Sequence, residues 1–170
     1  MSGSQKIIVI GCPGSGKSTF SRRLRDRTGL PLYYLDRIWH KADRTTVTED
    51  EFDRALGDIL CTDRWIIDGN FLRTMEMRLQ ACDTVFLLDL PTEACLEGVR
   101  SRIGTVREEM PWIEMEFDPE FHQYIQDFAA DRLPQIYDLL EKYRAGKKIT
   151  VFHSREEIDS LFENGGCGLM

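Results

Sequence analysis

The stretch Ile7-Ile8-Val9-Ile10-Gly11-Cys12-Pro13-Gly14-Ser15-Gly16-Lys17-Ser18-Thr19 decides the fold of this chain. Its first four residues are an apolar, mostly β-branched run, which predicts a buried parallel strand. They lead directly into the pattern G-x-x-x-x-G-K-S, and an amphipathic segment follows. A strand, a glycine-rich turn and a helix in this order are the context that a phosphate-binding loop requires.

The chemistry of this loop predicts a nucleotide site. Glycines allow the backbone to turn tightly, so that successive N–H groups converge on phosphate oxygens, and the following helix directs its positive end at the same point. Lys17 can neutralise the β- and γ-phosphates, and the Ser18 hydroxyl can ligate Mg²⁺. We therefore expect ATP and Mg²⁺ as cofactors. The predicted nucleotide-binding residues of the loop are Gly11, Pro13, Gly14, Ser15, Gly16, Lys17, Ser18 and Thr19.

Composition and charge disfavour a nucleic-acid-binding protein, a cysteine-rich metal protein and a membrane protein. The chain has 170 residues, a net charge of −7 and a pI of about 5.0, which disfavours direct nucleic-acid binding. Its five cysteines are scattered without metal-ligand spacing, as expected of reduced thiols. No apolar run reaches membrane-spanning length and no signal segment is evident, so we expect a cytoplasmic protein without a membrane partner. The sequence is compatible with a monomer or a dimer.

Five apolar segments alternate with helical segments along the chain. This alternation predicts an α/β fold, in which a five-stranded parallel sheet carries helices on both faces. The chain has no internal repeat and no linker, so residues 1–170 are interpreted as one domain. The predicted strands are 7–10, 32–35, 65–68, 84–88 and 148–152.

Several segments outside the predicted strands have their own signals. Thr48 and Glu51 form a capping box, which predicts the start of a helix. Residues 104–116 have weak periodicity and are interpreted as a short lid. Residues 165–170 are expected to be disordered. The solvated face of the first helix is expected to carry Arg22, Arg23, Arg25 and Arg27.

Acidic side chains follow several of the predicted strands. Asp36, Asp68 and Asp89 each come after an apolar run, and parallel sheets bind ligands at the carboxyl ends of their strands. A carboxylate there can hold Mg²⁺ beside the phosphate-binding loop. From the residues alone, Asp68 in Trp-Ile-Ile-Asp-Gly and Asp89 in Phe-Leu-Leu-Asp-Leu-Pro are both candidates for that role.

The order of these motifs resembles that of the nucleoside monophosphate kinases, the P-loop family typified by adenylate kinase. The motifs are the loop at 11–18, then Asp68-Gly69, then Asp89-Leu90-Pro91 and a helix that ends in arginine. A closer resemblance, over about residues 6–163, is to the adenylate-kinase-like subgroup labelled DNA topology modulation proteins. The features that carry it are Leu35-Asp36-Arg37-Ile38-Trp39, the W-I-I-D-G-N motif at 65–70, Arg78 and a phenylalanine-rich helix near 117–128.

This resemblance implies a P-loop NTPase sheet with strand order 2-3-1-4-5 and a short lid. In that order Asp68 lies beside the loop and becomes the Mg²⁺-side acid with Ser18, whereas Asp89 becomes a structural or outer-shell carboxylate. Charge on the transferring phosphoryl group requires cations. The resemblance supplies Arg102, from the helix before the lid, and Arg107, within the lid. Its nucleotide side also includes Arg155, in the loop after the last strand.

The resemblance further assigns an acceptor side, which includes about residues 36–62. Asp36 would orient or deprotonate an attacking hydroxyl, as an aspartate does in small-molecule kinases such as shikimate kinase. Trp39 would stack on the acceptor, and Arg73 or Arg78 would face it. The kinase motif D-G-F-P-R is replaced by Asp68-Gly69-Asn70-Phe71-Leu72-Arg73, which is one residue longer and lacks the proline.

These features favour an ATP- and Mg²⁺-dependent kinase for a small molecule or nucleotide, with Lys17, Asp36, Arg102 and Arg107 as its catalytic residues. We expect a hydroxyl rather than a phosphate as the accepting group, because the altered motif changes the pocket in which AMP would bind. Two alternatives are consistent with the same residues. One is a nucleotide-binding regulatory protein of the topology-modulation type without kinase activity, and the other is a simple NTPase.

Overall fold

A five-stranded parallel sheet forms the centre of the computed structural model, which describes residues 3–164. Its strands are β1 (Lys6–Gly11), β2 (Leu32–Tyr34), β3 (Trp65–Asp68), β4 (Thr84–Leu88) and β5 (Lys148–Phe152). They are arranged in the order β2-β3-β1-β4-β5, which confirms the predicted order. The tail predicted to be disordered, 165–170, lies outside the described residues.

Helices cover both faces of this sheet, as predicted. They are α1 (Lys17–Thr28), α2 (Leu35–Trp39), α3 (Glu49–Leu60), α4 (Met75–Ala81), α5 (Thr92–Arg102), α6 (Pro119–Asp131), α7 (Leu133–Tyr143) and α8 (Arg155–Glu163), with a 3₁₀ turn at Leu72–Thr74. The capping box is present at the start of α3, where the Glu51 amide donates to Thr48 Oγ1 at 3.2 Å. Within residues 3–164, no helix has an apolar stretch of the length that a bilayer crossing needs.

The apolar strands form the core and bring their carboxyl ends together. Residues 7–10 of β1 are completely buried, because β3 and β4 flank this strand on both sides. The parallel register places Val9 opposite Asp68 of β3 and Phe86 of β4. Asp68 therefore ends its strand next to the loop that follows β1.

Asp36 lies in a helix, whereas the sequence predicted a strand that continues to Leu35. β2 stops at Tyr34, which pairs with Asp68, the last residue of β3. Beyond that pair the edge strand has no neighbour with which to continue its hydrogen bonds. The chain turns instead into α2, whose first residue Leu35 is completely buried, and the His40 amide closes this helix on the Asp36 carbonyl at 2.9 Å. Asp36 therefore enters the site from a helix anchored by Leu35.

The arginines of α1 make contacts, whereas the sequence predicted that they are solvated. Arg23 and Arg27 lie over the ring of Phe162 in α8, at 4.0 and 5.4 Å from its centroid. Arg22 and Arg25 pair with glutamates of the lid. The helix that follows the phosphate-binding loop is therefore attached to both α8 and the lid.

Candidate active site

Two clefts meet at the carboxyl edge of the sheet. The aromatic cleft has a volume of about 990 Å³, and its walls include Asp36, Phe71, Trp112, Phe121 and Tyr124. The polar cleft has a volume of about 730 Å³, and its walls include Gly16, Thr19, Ser101, Thr105 and Arg155. The residues that line both clefts are Lys17, Ser18, Arg102, Arg107 and Glu109. A ligand in one cleft can therefore react with a ligand in the other across this shared boundary.

The phosphate-binding loop has the geometry that its glycines predict. Gly14 and Gly16 have φ angles of 82° and 96°, a region that side chains oppose. No side chain within residues 3–164 caps the start of α1, so its first amides are available to an anion. The Lys17 ammonium lies along the loop and donates to the Cys12 carbonyl at 3.3 Å. Backbone donors and a cation thus face the junction of the clefts.

The other predicted loop residues are distributed between the two clefts and the protein interior. Gly14, Gly16 and Thr19 line the polar cleft, whereas Pro13 lines the aromatic cleft. Ser15 is completely buried. Gly11 exchanges two hydrogen bonds with the side chain of Asn70: its amide donates to Oδ1 at 3.0 Å, and its carbonyl accepts from Nδ2 at 2.7 Å.

Helix α5 packs against the phosphate-binding loop through two glycines. A Cβ atom at Gly98 would lie 2.0 Å from the Gly14 carbonyl oxygen, and one at Gly14 would lie 2.0 Å from the Cys95 carbonyl oxygen. Only glycine allows two backbones to approach this closely. Arg102 follows Gly98 by one helical turn. The glycine contact therefore sets the position of Arg102 relative to the loop.

Ser18 and Asp68 form the hydroxyl–carboxylate pair that a Mg²⁺ site requires. The Ser18 hydroxyl donates to Asp68 Oδ2 at 2.8 Å, and both side chains line the aromatic cleft. Asp89 instead accepts a hydrogen bond from the Tyr137 hydroxyl at 2.6 Å. Among residues 3–164, no three His, Cys, Asp or Glu side chains form a metal-binding group. A Mg²⁺ ion at Ser18 and Asp68 would therefore take its other ligands from phosphate and water, as it usually does with nucleotides.

Asp68 is expected to lower the stability of the metal-free protein as the pH rises. Burial raises the pKa of Asp68 from 3.8 to about 6, against the opposing effects of Lys17 and Ser18. The folded protein then binds this proton more tightly than the unfolded chain does. The contribution of Asp68 to the free energy of unfolding should therefore fall by about 3 kcal/mol as the pH rises from about 4 to about 6.

Urea unfolding with a chelator, measured across this pH range, tests the expectation. The difference in stability between wild type and Asp68→Asn should change with pH in that window. Asp58→Asn is the matched control, because Asp58 is an exposed carboxylate of α3. An Asp68→Asn protein that follows the wild-type pH profile would contradict the assigned pKa.

An unpaired arginine lies at the junction of the clefts. Among residues 3–164, the guanidinium of Arg102 has no hydrogen-bond or ion-pair partner, and its Nε atom is buried. Burial lowers the pKa of Arg102, and the neighbouring charge of Arg107 lowers it further. Arg107 is paired, with Glu109 at 3.1 Å and with Glu114 at 3.0 Å. A phosphoryl group at the junction would supply the anion that Arg102 lacks.

An unpaired carboxylate lies on the aromatic side of the same junction. Asp36 is half-buried and lines the aromatic cleft, and no group among residues 3–164 donates a hydrogen bond to its carboxylate. Burial raises the pKa of Asp36, while Lys17 and His40 oppose that effect. A carboxylate without a partner, close to cations and open to a cleft, can accept a hydrogen bond from a bound hydroxyl.

Two consecutive glutamates attach the lid to the body of the protein. Glu108 pairs with Arg25 at 3.0 Å and accepts a hydrogen bond from the Tyr34 hydroxyl. Glu109 pairs with Arg22 at 3.1 Å as well as with Arg107. Sequence reasoning missed both glutamates. The available signal was the spacing of the two arginines, which lie one turn apart on α1 and face two adjacent acids.

The structure does not bring three predicted acceptor residues into either cleft. Trp39 packs edge-to-face against Phe52, with ring centroids 5.7 Å apart. Arg73 is exposed and forms a two-pronged ion pair with Asp53, at 3.0 and 2.7 Å. Arg78 is completely buried.

Arg78 holds the segment that follows β3. Its guanidinium donates to the carbonyls of Gly69 at 2.8 Å, of Phe71 at 2.9 Å and of Asn70. Phe71 is one of only two non-glycine residues in the described chain with a positive φ, at 40°. Because Asn70 is also bonded to Gly11, this segment joins the wall of the aromatic cleft to the phosphate-binding loop. Sequence reasoning missed this role of Asn70.

Arg155, predicted on the nucleotide side, lies beside the phosphate-binding loop. It lines the polar cleft, and its guanidinium donates to the carbonyls of Ser15 at 3.5 Å and Gly14 at 3.4 Å. These bonds are long, so the charge of Arg155 can also reach a ligand in the polar cleft.

Solved structures of P-loop kinases have a similar fold. A shikimate kinase from Acinetobacter baumannii, solved with shikimate, has a TM-score of 0.56 at 17% identity, covering 94% of this chain and 92% of its own. A shikimate kinase from Bacteroides thetaiotaomicron has a TM-score of 0.55 at 16% identity, with coverage of 95% and 96%. A sugar kinase from a Janibacter species has a TM-score of 0.51 at 18% identity, with coverage of 98% and 94%. The chain matches no protein-family model and no curated protein. The fold is therefore that of the P-loop kinases.

Proposed function

We propose that this protein is a Mg²⁺-dependent kinase that transfers the γ-phosphoryl group of ATP to a hydroxyl of a small molecule. The observation that carries the proposal is the junction of the clefts. Among residues 3–164, a half-buried arginine without a partner and the loop lysine lie there, with a carboxylate without a partner on the side away from the polar cleft. The kinase fold of the structural neighbours supports it.

The loop side of the junction would bind the nucleotide. The amides at the start of α1 and the Lys17 ammonium would hold the β- and γ-phosphates. Mg²⁺, held by Ser18 and Asp68, would neutralise phosphate charge. Arg102 would stabilise the charge that spreads over the transferring oxygens, and Arg107 would add to it from the lid. Arg155 would hold the nucleotide in the polar cleft.

The aromatic cleft would bind the acceptor, with Asp36 orienting its hydroxyl or removing its proton. The two arginines that the resemblance assigned to the acceptor, where nucleotide kinases grip the phosphate of AMP, do not line this cleft. Arg73 is committed to Asp53, and Arg78 to backbone carbonyls. We therefore propose a hydroxyl acceptor and not the adenylate-type acceptor. The likeness to the topology-modulation subgroup is a likeness of motifs, and we propose no regulatory function from it.

Asp36→Asn is expected to lower acceptor-dependent ADP production by about a hundredfold or more, because the amide cannot take a proton. ATP binding should be unchanged, since Asp36 is not among the residues that line the polar cleft. Steady-state ADP release with a panel of hydroxyl compounds measures the first quantity, and calorimetry measures the second.

Asp50→Asn is the control, because Asp50 is an exposed carboxylate in the first turn of α3 and lines neither cleft. Wild-type turnover in the Asp36→Asn protein would contradict the role of Asp36. ADP release that no compound of the panel accelerates would favour a simple NTPase over a kinase.

A further inference from the structure

Aromatic rings line much of the acceptor side. The lid contributes Trp112, the segment after β3 contributes Phe71, and the neighbouring rings come from Phe117 and from Phe121, Tyr124 and Phe128 of α6. All of these except Phe128 are half-buried. Rings that pack only to close a core are usually covered on both sides. Here one side opens to a cleft.

The rings are also arranged as a band. Phe117 and Phe121 have centroids 6.1 Å apart, Phe121 and Tyr124 lie nearly parallel at 6.3 Å, and Tyr124 meets Phe128 at 6.0 Å. Such a band offers flat faces and edges to a ligand. Apolar surface that stays open to water in a cleft indicates a ligand that covers it.

The charges around this band do not select a charged ligand. Arg132 lies over Tyr124 at 5.2 Å and Arg44 over Trp112 at 5.8 Å, while Glu116 and Asp118 bring opposite charges to the same cleft. Both acids are exposed, so water screens them. Deeper in the cleft, two charged side chains have no partner among residues 3–164, Arg102 and Asp36. Arg102 would meet the transferring phosphoryl group, which leaves the Asp36 carboxylate for a single hydroxyl of the acceptor.

We propose that the acceptor is a neutral alcohol whose body is a flat aromatic ring system, bound against the rings of the lid and α6 with its hydroxyl at Asp36. This inference rests on the proposed kinase function. A cleft of about 990 Å³ accepts a molecule with two or more fused rings. A sugar would find polar partners in the same cleft, such as Asn70 and Arg132, but its ring would cover less of the apolar wall.

ATP, the acceptor and Asp36 together account for every bond and proton in the transfer. The acceptor oxygen forms a bond to the γ-phosphorus as the bond from that phosphorus to the β,γ-bridging oxygen breaks. The hydroxyl proton passes to the Asp36 carboxylate, and ADP leaves with the bridging electron pair. The products are an aryl-alkyl phosphate and ADP.

Calorimetric titration with 2-naphthylmethanol, a neutral fused-ring alcohol, tests the inference. Trp112→Ala and Tyr124→Ala should each weaken its binding about tenfold, because each variant removes one face of the wall. Tyr137→Ala is the matched control, since this exposed tyrosine of α7 lies outside the cleft. The ATP affinity of every variant, measured in parallel, should equal that of wild type and shows that the variant is folded.

The outcomes separate this inference from the kinase proposal. Absence of binding, or equal binding to wild type and to both wall variants, would overturn the inference. If glucose or AMP drives ADP release and 2-naphthylmethanol does not bind, the acceptor class is wrong and the kinase function stands. If 2-naphthylmethanol binds to the wall but none of the three compounds drives ADP release, the aryl-binding cleft is supported and the kinase function is contradicted.

Discussion

Lys17→Ala is expected to abolish turnover and to weaken ATP binding by about ten- to a hundredfold. The loss in affinity follows from one charge-assisted bond to phosphate, and the larger loss in rate follows from charge that develops during transfer. The fold should survive, because the Lys17 ammonium makes a single hydrogen bond of 3.3 Å to a carbonyl of its own loop. Calorimetry with ATP and Mg²⁺ measures the affinity, and thermal unfolding measures the fold.

Lys41→Ala is a suitable control for Lys17→Ala. Lys41 is exposed and lines neither cleft, so its removal changes the net charge by the same amount without changing the site. Both the affinity for ATP and the turnover of this control should match wild type. Unchanged ATP affinity in Lys17→Ala would end the nucleotide interpretation of the loop.

Arg78→Met is expected to destabilise the protein by about 4 kcal/mol. The variant keeps much of the buried volume but leaves the carbonyls of Gly69 and Asn70 without a donor, and each such loss costs about 1–3 kcal/mol. The Phe71 carbonyl keeps its hydrogen bonds from Thr74. Because Arg78 holds the backbone of residues 69–71, its removal should also make the Phe71 part of the cleft wall less well ordered. Urea unfolding gives the stability, and binding of the acceptor probe reports the wall.

Arg73→Met removes an arginine from the same short segment and serves as the comparison. Its ion pair with Asp53 is exposed, so the loss should stay below about 1 kcal/mol. A similar loss of stability in the two variants would show that the carbonyl contacts of Arg78 contribute little. Loss of ATP binding in a folded Arg78→Met protein would place this arginine at the nucleotide instead.

Local patterns are sufficient to predict the loop and the sheet. The run before Gly11 is apolar and β-branched, the glycines have fixed spacing, and the following helix is amphipathic. None of these features depends on residues far away in the chain. The strand order came from the resemblance in motifs, and it correctly placed Asp68 beside β1.

The contacts of the arginines could not be predicted in the same way, because their partners are distant in sequence. In the part of the chain that the structure describes, no acid pairs with the guanidinium of Arg78, which is held by carbonyls that converge only after the segment 69–71 has folded. The sequence predicted a solvated face for Arg22 and Arg25, because their partners in the fold, Glu109 and Glu108, lie far away in the sequence. Asp36 lies in α2 instead of directly after a strand that reaches Leu35, because β3, the neighbour of β2, ends at Asp68.

Because Gly98 packs against Gly14, the number of residues between Gly98 and Arg102 determines where Arg102 lies relative to the phosphate-binding loop. Gly98 and Arg102 are four residues apart on one helix, so moving the arginine by one position would rotate it by about 100° around the helix axis and shift it by about 1.5 Å. A guanidinium displaced in that way would no longer face the junction. Insertions or deletions within α5 should therefore be rejected during evolution, even where single substitutions on its outer face are accepted. A glycine four positions before an arginine, in the helix after the fourth strand, would then be a sequence motif that identifies other proteins with the same contact between loop and helix.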